Sequence, residues 1–258
     1  MIVSDIDGVM AIDGELDATV LRALHALQKR RVKCTVATGR GYFRLQKCLG
    51  SAFTPNFPMI LENGGRICKA NGSPLLARPV APRTFPIVRK FMFPRYVRGV
   101  DFFQLEDNKY VVLEHPGMQT SPGKVFLAEK FVAARYDNVD AFMAHVTASR
   151  CCKLTFFPKD EKKIPFPKCV NASRNESYET VMRRHVSKGA ALRQLCEMSD
   201  IPLSETLIAG NDYNDVKLFE LPARWRIAVG NDCPKLQKRA TCAVATPTAF
   251  GELLQTFI

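Results

Sequence analysis

Short apolar strands alternate with amphipathic helices at both ends of this 258-residue chain, and the alternation stops between about residues 80 and 179. Ile2-Val3 reads as a strand running into Asp5-Ile6-Asp7-Gly8. Residues 17–31 then read as a helix, with Asp17 as N-cap and Val20, Leu21, Leu24 and Leu27 on one face. Residues 33–37 alternate as a buried strand ending at Thr38-Gly39-Arg40; a helix over 43–49, a strand over Met59–Leu61 and a hairpin around Asn71-Gly72 follow. The pattern resumes at Ser187 with a helix, a strand over 206–209, a helix near 216–221 and a strand over 226–229. Such alternation buries its apolar faces only in a parallel sheet with helices on both sides, a three-layer α/β domain.

The middle stretch has a different texture. Pro79, Pro82, Pro86 and Pro94 precede a region in which strand-like Tyr110–Leu113 and 153–157 mix with a helix over Val139–Ala148. This is α+β, so residues 1–79 plus 180–258 are expected to form one domain and 80–179 an inserted one. A chain of this length buries enough apolar surface to fold without disulfides. Its nine cysteines show no C-x-x-C pair and no zinc spacing, and are expected as reduced, mostly buried thiols. No apolar run reaches the roughly 18 residues of a membrane-spanning helix, and no leader pattern precedes Ile2, which places the expected location in the cytoplasm.

Four polar motifs fall at strand ends or helix starts. Asp5 and Asp7 are carboxylates one residue apart where the first strand ends; they need a cation or a shared proton to coexist in one crevice, or they simply open a surface turn at Gly8. Thr38-Gly39-Arg40 places a hydroxyl and free backbone N–H groups beyond the second strand, elements that bind phosphate and also cap helices. Lys188 follows an N-cap, Ser187, and a cation in a first helical turn opposes the helix dipole by roughly 0.3 to 1 kcal/mol. Gly189 in the same turn is worse than Ala by up to about 1 kcal/mol. Two adjacent penalties suggest that Lys188 faces an anion, against the alternative of a lysine that solvent tolerates there. Gly210-Asn211-Asp212-Tyr213-Asn214-Asp215 collects Asn and Asp oxygens on one turn, which suits Mg²⁺ or a plain turn with an N-cap.

In this order the four motifs resemble the haloacid-dehalogenase superfamily of phosphohydrolases, from residue 1 to about 248. Ala37-Thr38-Gly39-Arg40, Glu62-Asn63-Gly64-Gly65, Val186-Ser187-Lys188-Gly189 and residues 210–215 are similar to the Cof-type, class IIB members, which carry a large α+β cap between the second motif and the lysine. The 150 residues from Thr38 to Lys188 leave room for one. The resemblance implies a Rossmann-like parallel-sheet core with residues 80–179 as the specificity-setting cap. It makes Asp5 the nucleophile, Asp7 the general acid and base, and Thr38, Gly39 and Lys188 the phosphate-binding residues. Mg²⁺ would be held by Asp5, by Asp7 through its backbone carbonyl, by Asn211 and by Asp215. Two positions depart from the family pattern. Asn211 stands where an Asp is usual, so weaker metal affinity or substitution by Asp212 is expected; Val9 replaces a common Thr with little consequence. Arg40, Arg44, Glu62 and Asn63 are substrate candidates on the core side, and Arg150 and Lys153 near a cap strand.

The implied activity is Mg²⁺-dependent hydrolysis of small phosphorylated metabolites, sugar phosphates foremost, through an aspartyl-phosphate. Two alternatives stand beside it. One is phosphotransfer to a second sugar or a phosphomutase reaction, prompted by Asn211. The other is a basic binding module, prompted by a net charge of +12. That charge is spread over all three stretches without aromatic interleaving, which argues against nucleic acid and for a small acidic partner. Its densest piece, Lys159 to Lys168, reads as a solvated loop, and Gly117 to Lys124 has the wrong spacing for a P-loop.

Overall fold

Ile2 and Val3 are neighbours in strand β1 (Ile2–Ser4), yet they pack into different hydrophobic cores. Alternation along a buried strand sends successive side chains to opposite faces, so the sheet must be covered on both. The computed structural model describes residues 1–96, 101–105, 109–113, 132–156, 168–174 and 179–258. These form two compact units, Met1–Leu76 with Ser187–Ile258, and Ala77–Val186.

After β1 the first unit runs through the hairpin β2 (Ala11–Ile12) and β3 (Glu15–Leu16), helix α1 (Ala18–Lys29), β4 (Cys34–Val36), α2 (Tyr42–Leu49), and the three-stranded sheet of β5 (Met59–Leu61), β6 (Arg66–Cys68) and β7 (Pro74–Ala77). The second unit contains α3 (Phe85–Tyr96), β8 (Asp101–Leu105), β9 (Tyr110–Leu113), β10 (Val132–Tyr136), α4 (Val139–Ala148), β11 (Cys151–Phe156), β12 (Val170–Arg174) and β13 (Glu179–Arg183). The chain then returns with α5 (Lys188–Met198), β14 (Leu207–Gly210), α6 (Val216–Phe219), β15 (Trp225–Val229), α7 (Pro234–Gln237), β16 (Cys242–Val244) and α8 (Pro247–Gln255).

The main sheet of the first unit is ordered β16-β15-β14-β1-β4, and every neighbouring pair is parallel. One face, with Ile2, Ala209 and Ile227, meets α1, α2 and α8; the other, with Val3, Ile208 and Ala228, meets α5, α6 and α7. Helix α1 begins where the sequence places it, because Asp17 accepts the Thr19 and Val20 amides at 2.7 and 3.0 Å. From β1 the chain first adds β4 on one side and later β14 on the other, so β1 sits at the switch point of the sheet. Ligands of open α/β sheets bind beyond the carboxyl ends of strands at that point.

The second unit builds a sheet ordered β10-β9-β8-β11-β13-β12, antiparallel except for β9 and β10. Phe85 and Val88 of α3 and Phe142 and Val146 of α4 pack on one face against Val111, Leu154 and Val181. The division falls at Leu76 and Ser187 instead of at 79 and 180. The reason is β13, which pairs with β11 and β12 and so keeps residues 179–183 in the second unit. Residues 117–124 and nearly all of 159–168 lie outside the described residues.

Among the described residues no helix is long and apolar enough to cross a membrane. All nine cysteines are free thiols, six of them buried. Burial pushes Cys34 up to about 12 and Cys68 up to about 11, which keeps both protonated and unreactive.

Candidate active site

Three loops leave the same edge of the parallel sheet. Asp5 follows β1, Thr38 follows β4 and Asn211 follows β14. Parallel pairing fixes this convergence: Ser4 is in register with Val36 and with Ala209, so the residues after them emerge side by side. The fourth element is the first turn of α5, where Ser187 caps the helix by accepting the Ala190 amide at 3.1 Å.

Lys188 occupies the centre. Its Nζ lies 2.7 Å from Asp5 Oδ2 and 2.7 Å from Asp215 Oδ1, with the lysine and Asp215 side chains fully buried and that of Asp5 6% exposed. The anion suggested by the two local penalties is therefore a pair of carboxylates. Gly189 has its own explanation: a β-carbon there would run into the Lys217 carbonyl, so the residue lets α5 approach α6. Burial by itself would lower the Lys188 pKa, but Asp215 and Asp5 outweigh it and hold the ammonium charged. Burial also raises Asp5, to about 7; the Lys188 charge opposes that rise and Asp215 adds to it.

Asp5 and Asp7 part company. Asp7 is 57% exposed and is held by the Arg40 guanidinium, whose Nη2 donates to Oδ1 at 2.6 Å and Nε to Oδ2 at 3.0 Å. Burial would raise the Asp7 pKa, yet the Arg40 hydrogen bonds and charge win and hold it below the usual carboxylate range. Arg40, expected as a substrate candidate, is thus occupied by a carboxylate of the chain itself. The backbone at 38–40 also differs from expectation. Thr38 N–H donates to the Ile60 carbonyl at 2.9 Å and Arg40 N–H to Thr38 Oγ1 at 3.1 Å, so these two amides are not open to an anion. Thr38 itself is buried beside the site.

Glu62, expected as a substrate candidate, turns inward. It is completely buried in an ion pair with Arg66, equally buried, and two guanidinium nitrogens engage its carboxylate. The clue in the sequence was the four-residue spacing of the two charges. Asn63 is also nearly buried, and its Oδ1 accepts Asn214 Nδ2 at 3.2 Å. Arg44 and Lys153 both have partners within the protein, Lys153 in the second unit's sheet and buried; Arg150 is exposed before β11.

The loop after β14 tests the fit to a divalent cation. Asp215 is fully engaged: Oδ1 takes Lys188, and Oδ2 accepts the Asn211 and Asp212 amides at 3.1 and 3.3 Å. Asp212 Oδ1 caps the short turn by accepting the Tyr213 amide at 2.6 Å. Asn211, by contrast, leans on Gly8, and its Oδ1 is buried without a hydrogen-bond partner. A buried acceptor left unpaired is unfavourable unless something else satisfies it. No group of three or more His, Cys, Asp and Glu among the described residues is arranged around a metal. The available donors are hard oxygens, the Asp5 carboxylate and the Asn211 amide, which is the chemistry Mg²⁺ takes. Asp5, Asp215 and Lys188 leave one net negative charge and Asp7–Arg40 leaves none, so a divalent cation would make the site receptive to an anion. A groove of about 1030 Å³ in the second unit, lined by Phe85, Arg89 and Met143 among others, carries none of these residues.

A family model described as haloacid dehalogenase-like hydrolase matches residues 2–251. The HMP-PP phosphatase of Yersinia pestis is 24% identical over 258 residues, covering 91% of this chain and 85% of that protein. The structure of TM0651 from Thermotoga maritima matches with a TM-score of 0.76 at 19% identity, over 99% of this chain and 96% of its own. That of the subclass IIB sugar phosphatase BT4131 matches with a TM-score of 0.79 at 16% identity, over 99% and 98%. At these identities the two structures share the fold.

Proposed function

Because this chain belongs to the haloacid dehalogenase-like hydrolase family, we propose that it is a Mg²⁺-dependent phosphatase of small phosphorylated metabolites, sugar phosphates among them, acting through an aspartyl-phosphate on Asp5. The observation that carries this reading is the buried Lys188 between Asp5 and Asp215 at the switch point of the sheet. The phosphatases named above, one of them a sugar phosphatase, support the substrate class.

In the first half-reaction an Asp5 oxygen bonds to phosphorus in line as the ester P–O bond breaks, and the leaving oxygen takes a proton from Asp7. In the second, Asp7 takes a proton from water as the water oxygen bonds to phosphorus and the bond to Asp5 breaks, releasing inorganic phosphate. Lys188 opposes the rise that burial imposes on Asp5, so favouring its ionised form, and offers positive charge to the transferring oxygens. Thr38 and Gly39, which follow β4 at the same edge of the sheet, are the proposed phosphate-binding residues. Asp7 must leave Arg40 to carry a proton, since both of its oxygens are held there.

Asp5, Asn211 and the Asp7 backbone carbonyl would hold Mg²⁺, which when bound supplies charge neutralisation for phosphoryl transfer. Asp215 serves from behind, by fixing Lys188 and the Asn211 and Asp212 amides. The second unit, inserted between Leu76 and Ser187, is the proposed selector of substrate. Hydrolysis of a generic aryl phosphate should require magnesium and vanish in Asp5→Asn; robust turnover by that variant would refute the mechanism.

A further inference from the structure

We propose that Asn63 is a positioning residue, tying the loops after β4 and β14 together and seating the start of α5 so that Lys188 reaches Asp5; this rests on the phosphatase reading only for its kinetic consequence. The backbone is the first observation. Glu62, Asn63 and Gly64 take φ of 54°, 55° and 95° in succession. Gly and Asn enter the left-handed region readily, whereas Glu does so only where its surroundings compel it.

What compels it lies on three sides. Glu62 N–H donates to the Arg40 carbonyl at 3.1 Å and Asn63 N–H to the Thr38 carbonyl at 2.9 Å, so the loop is stitched to the Thr38 segment. The Glu62 carboxylate is anchored beneath by the buried Arg66. On the far side, a β-carbon at Gly64 would strike the Ser187 carbonyl, so the backbone at 64 abuts the residue that caps α5. The turn at 62–64 is therefore wedged between the Thr38 loop and the Lys188 helix.

The Asn63 side chain completes the wedge. Its Oδ1 accepts Asn214 Nδ2 at 3.2 Å and lies 3.1 Å from where a β-carbon on Gly39 would sit, so it fills the gap between those two loops. Only 7% of the residue is exposed. A group so enclosed and already bonded to the protein is suited to hold other residues in place, not to touch substrate.

Three variants separate the roles. Asn63→Gly keeps the left-handed backbone while deleting the amide, Asn63→Ala deletes the amide and strains the backbone, and Asn63→Asp keeps the acceptor. In Asn63→Gly, kcat for an aryl phosphate with magnesium should fall about 10- to 100-fold, with KM changed less than about threefold. Its Tm should move by no more than about 5 °C. Asn63→Asp should recover most of the lost kcat. Amide hydrogen exchange across residues 38–40 and 187–190 should quicken about tenfold in Asn63→Gly. A kcat within twofold of the parent, a loss confined to KM, or unchanged exchange in both segments would overturn the assignment. If the parent hydrolyses no phosphate ester, the phosphatase reading fails, and the exchange measurement alone decides whether Asn63 positions these segments.

Discussion

Lys188 Nζ donates to Asp215 Oδ1 across 2.7 Å, and neither side chain is exposed to solvent. The pair joins the first turn of α5 to the loop after β14. Asp215 Oδ2 meanwhile holds two backbone amides of that loop, so one carboxylate sets both the position of the lysine and the course of residues 211–212.

Removing Asp215 should therefore unsettle structure and activity together. Asp215→Ala leaves a buried ammonium with Asp5 as its remaining carboxylate and is expected to destabilise the first unit by about 3 kcal/mol. Asp215→Asn, whose amide oxygen still accepts a hydrogen bond, should be milder. Urea unfolding of the two variants beside the parent checks the order, and an Ala variant as stable as the Asn variant would contradict it.

Asn211→Asp should bind magnesium more tightly and need it more. The substitution adds a charge beside Asp5 and Asp215 at the oxygen that now lies buried and unpaired. Half-saturating magnesium for hydrolysis is expected to fall by roughly an order of magnitude. With the metal chelated, like-charge repulsion should leave the variant less stable than the parent. Thermal melts with chelator and with magnesium should show opposite signs of ΔTm.

Arg40→Met tests the hold on Asp7. Because the folded pKa of Asp7 lies below the ordinary 3.8, the ion pair stabilises the fold above that pH, and the stabilisation is lost as pH falls through the folded value. The pair is partly exposed, so solvent screening leaves about 0–1 kcal/mol. The stability gap between parent and Arg40→Met should thus be present at neutral pH and close on acidification; a gap that widens below pH 3.8 would contradict the assignment.

Gly189→Ala should be destabilising although Ala is the better helix former. The added methyl meets the Lys217 carbonyl, and backbone has little room to yield, so a loss of about 1–3 kcal/mol is expected. Circular dichroism melts of the variant suffice. A rise in Tm would mean that propensity outweighs packing at this contact.

Much of the site could be read along the chain because it is built from local rules. Asp17 and Ser187 cap helices as short-range hydrogen bonding requires, and the strand ends at Ser4, Val36 and Gly210 follow from apolar runs interrupted by polar turns. The oddity of Lys188-Gly189 was legible as a double violation of helix preference. What it meant was not: one half was an ion pair reaching 27 residues ahead and the other a contact with a neighbouring helix.

The sequence by itself determined which residue types stand at the carboxyl ends of the strands, and with the alternation of strand and helix it determined a parallel, three-layer sheet. Those are consequences of periodicity and of side-chain chemistry within a few residues. Tertiary structure alone decided the partnerships. It sent Asp5 to Lys188 and Asp7 to Arg40, withdrew Glu62 into a buried pair with Arg66, and left the Asn211 oxygen without a partner. It also kept β13 in the second unit, moving the boundary to Ser187. Each ion pair depends on which charged group lies within about 3 Å once distant segments are packed, and the boundary on which strands pair; sequence distance carries no record of either.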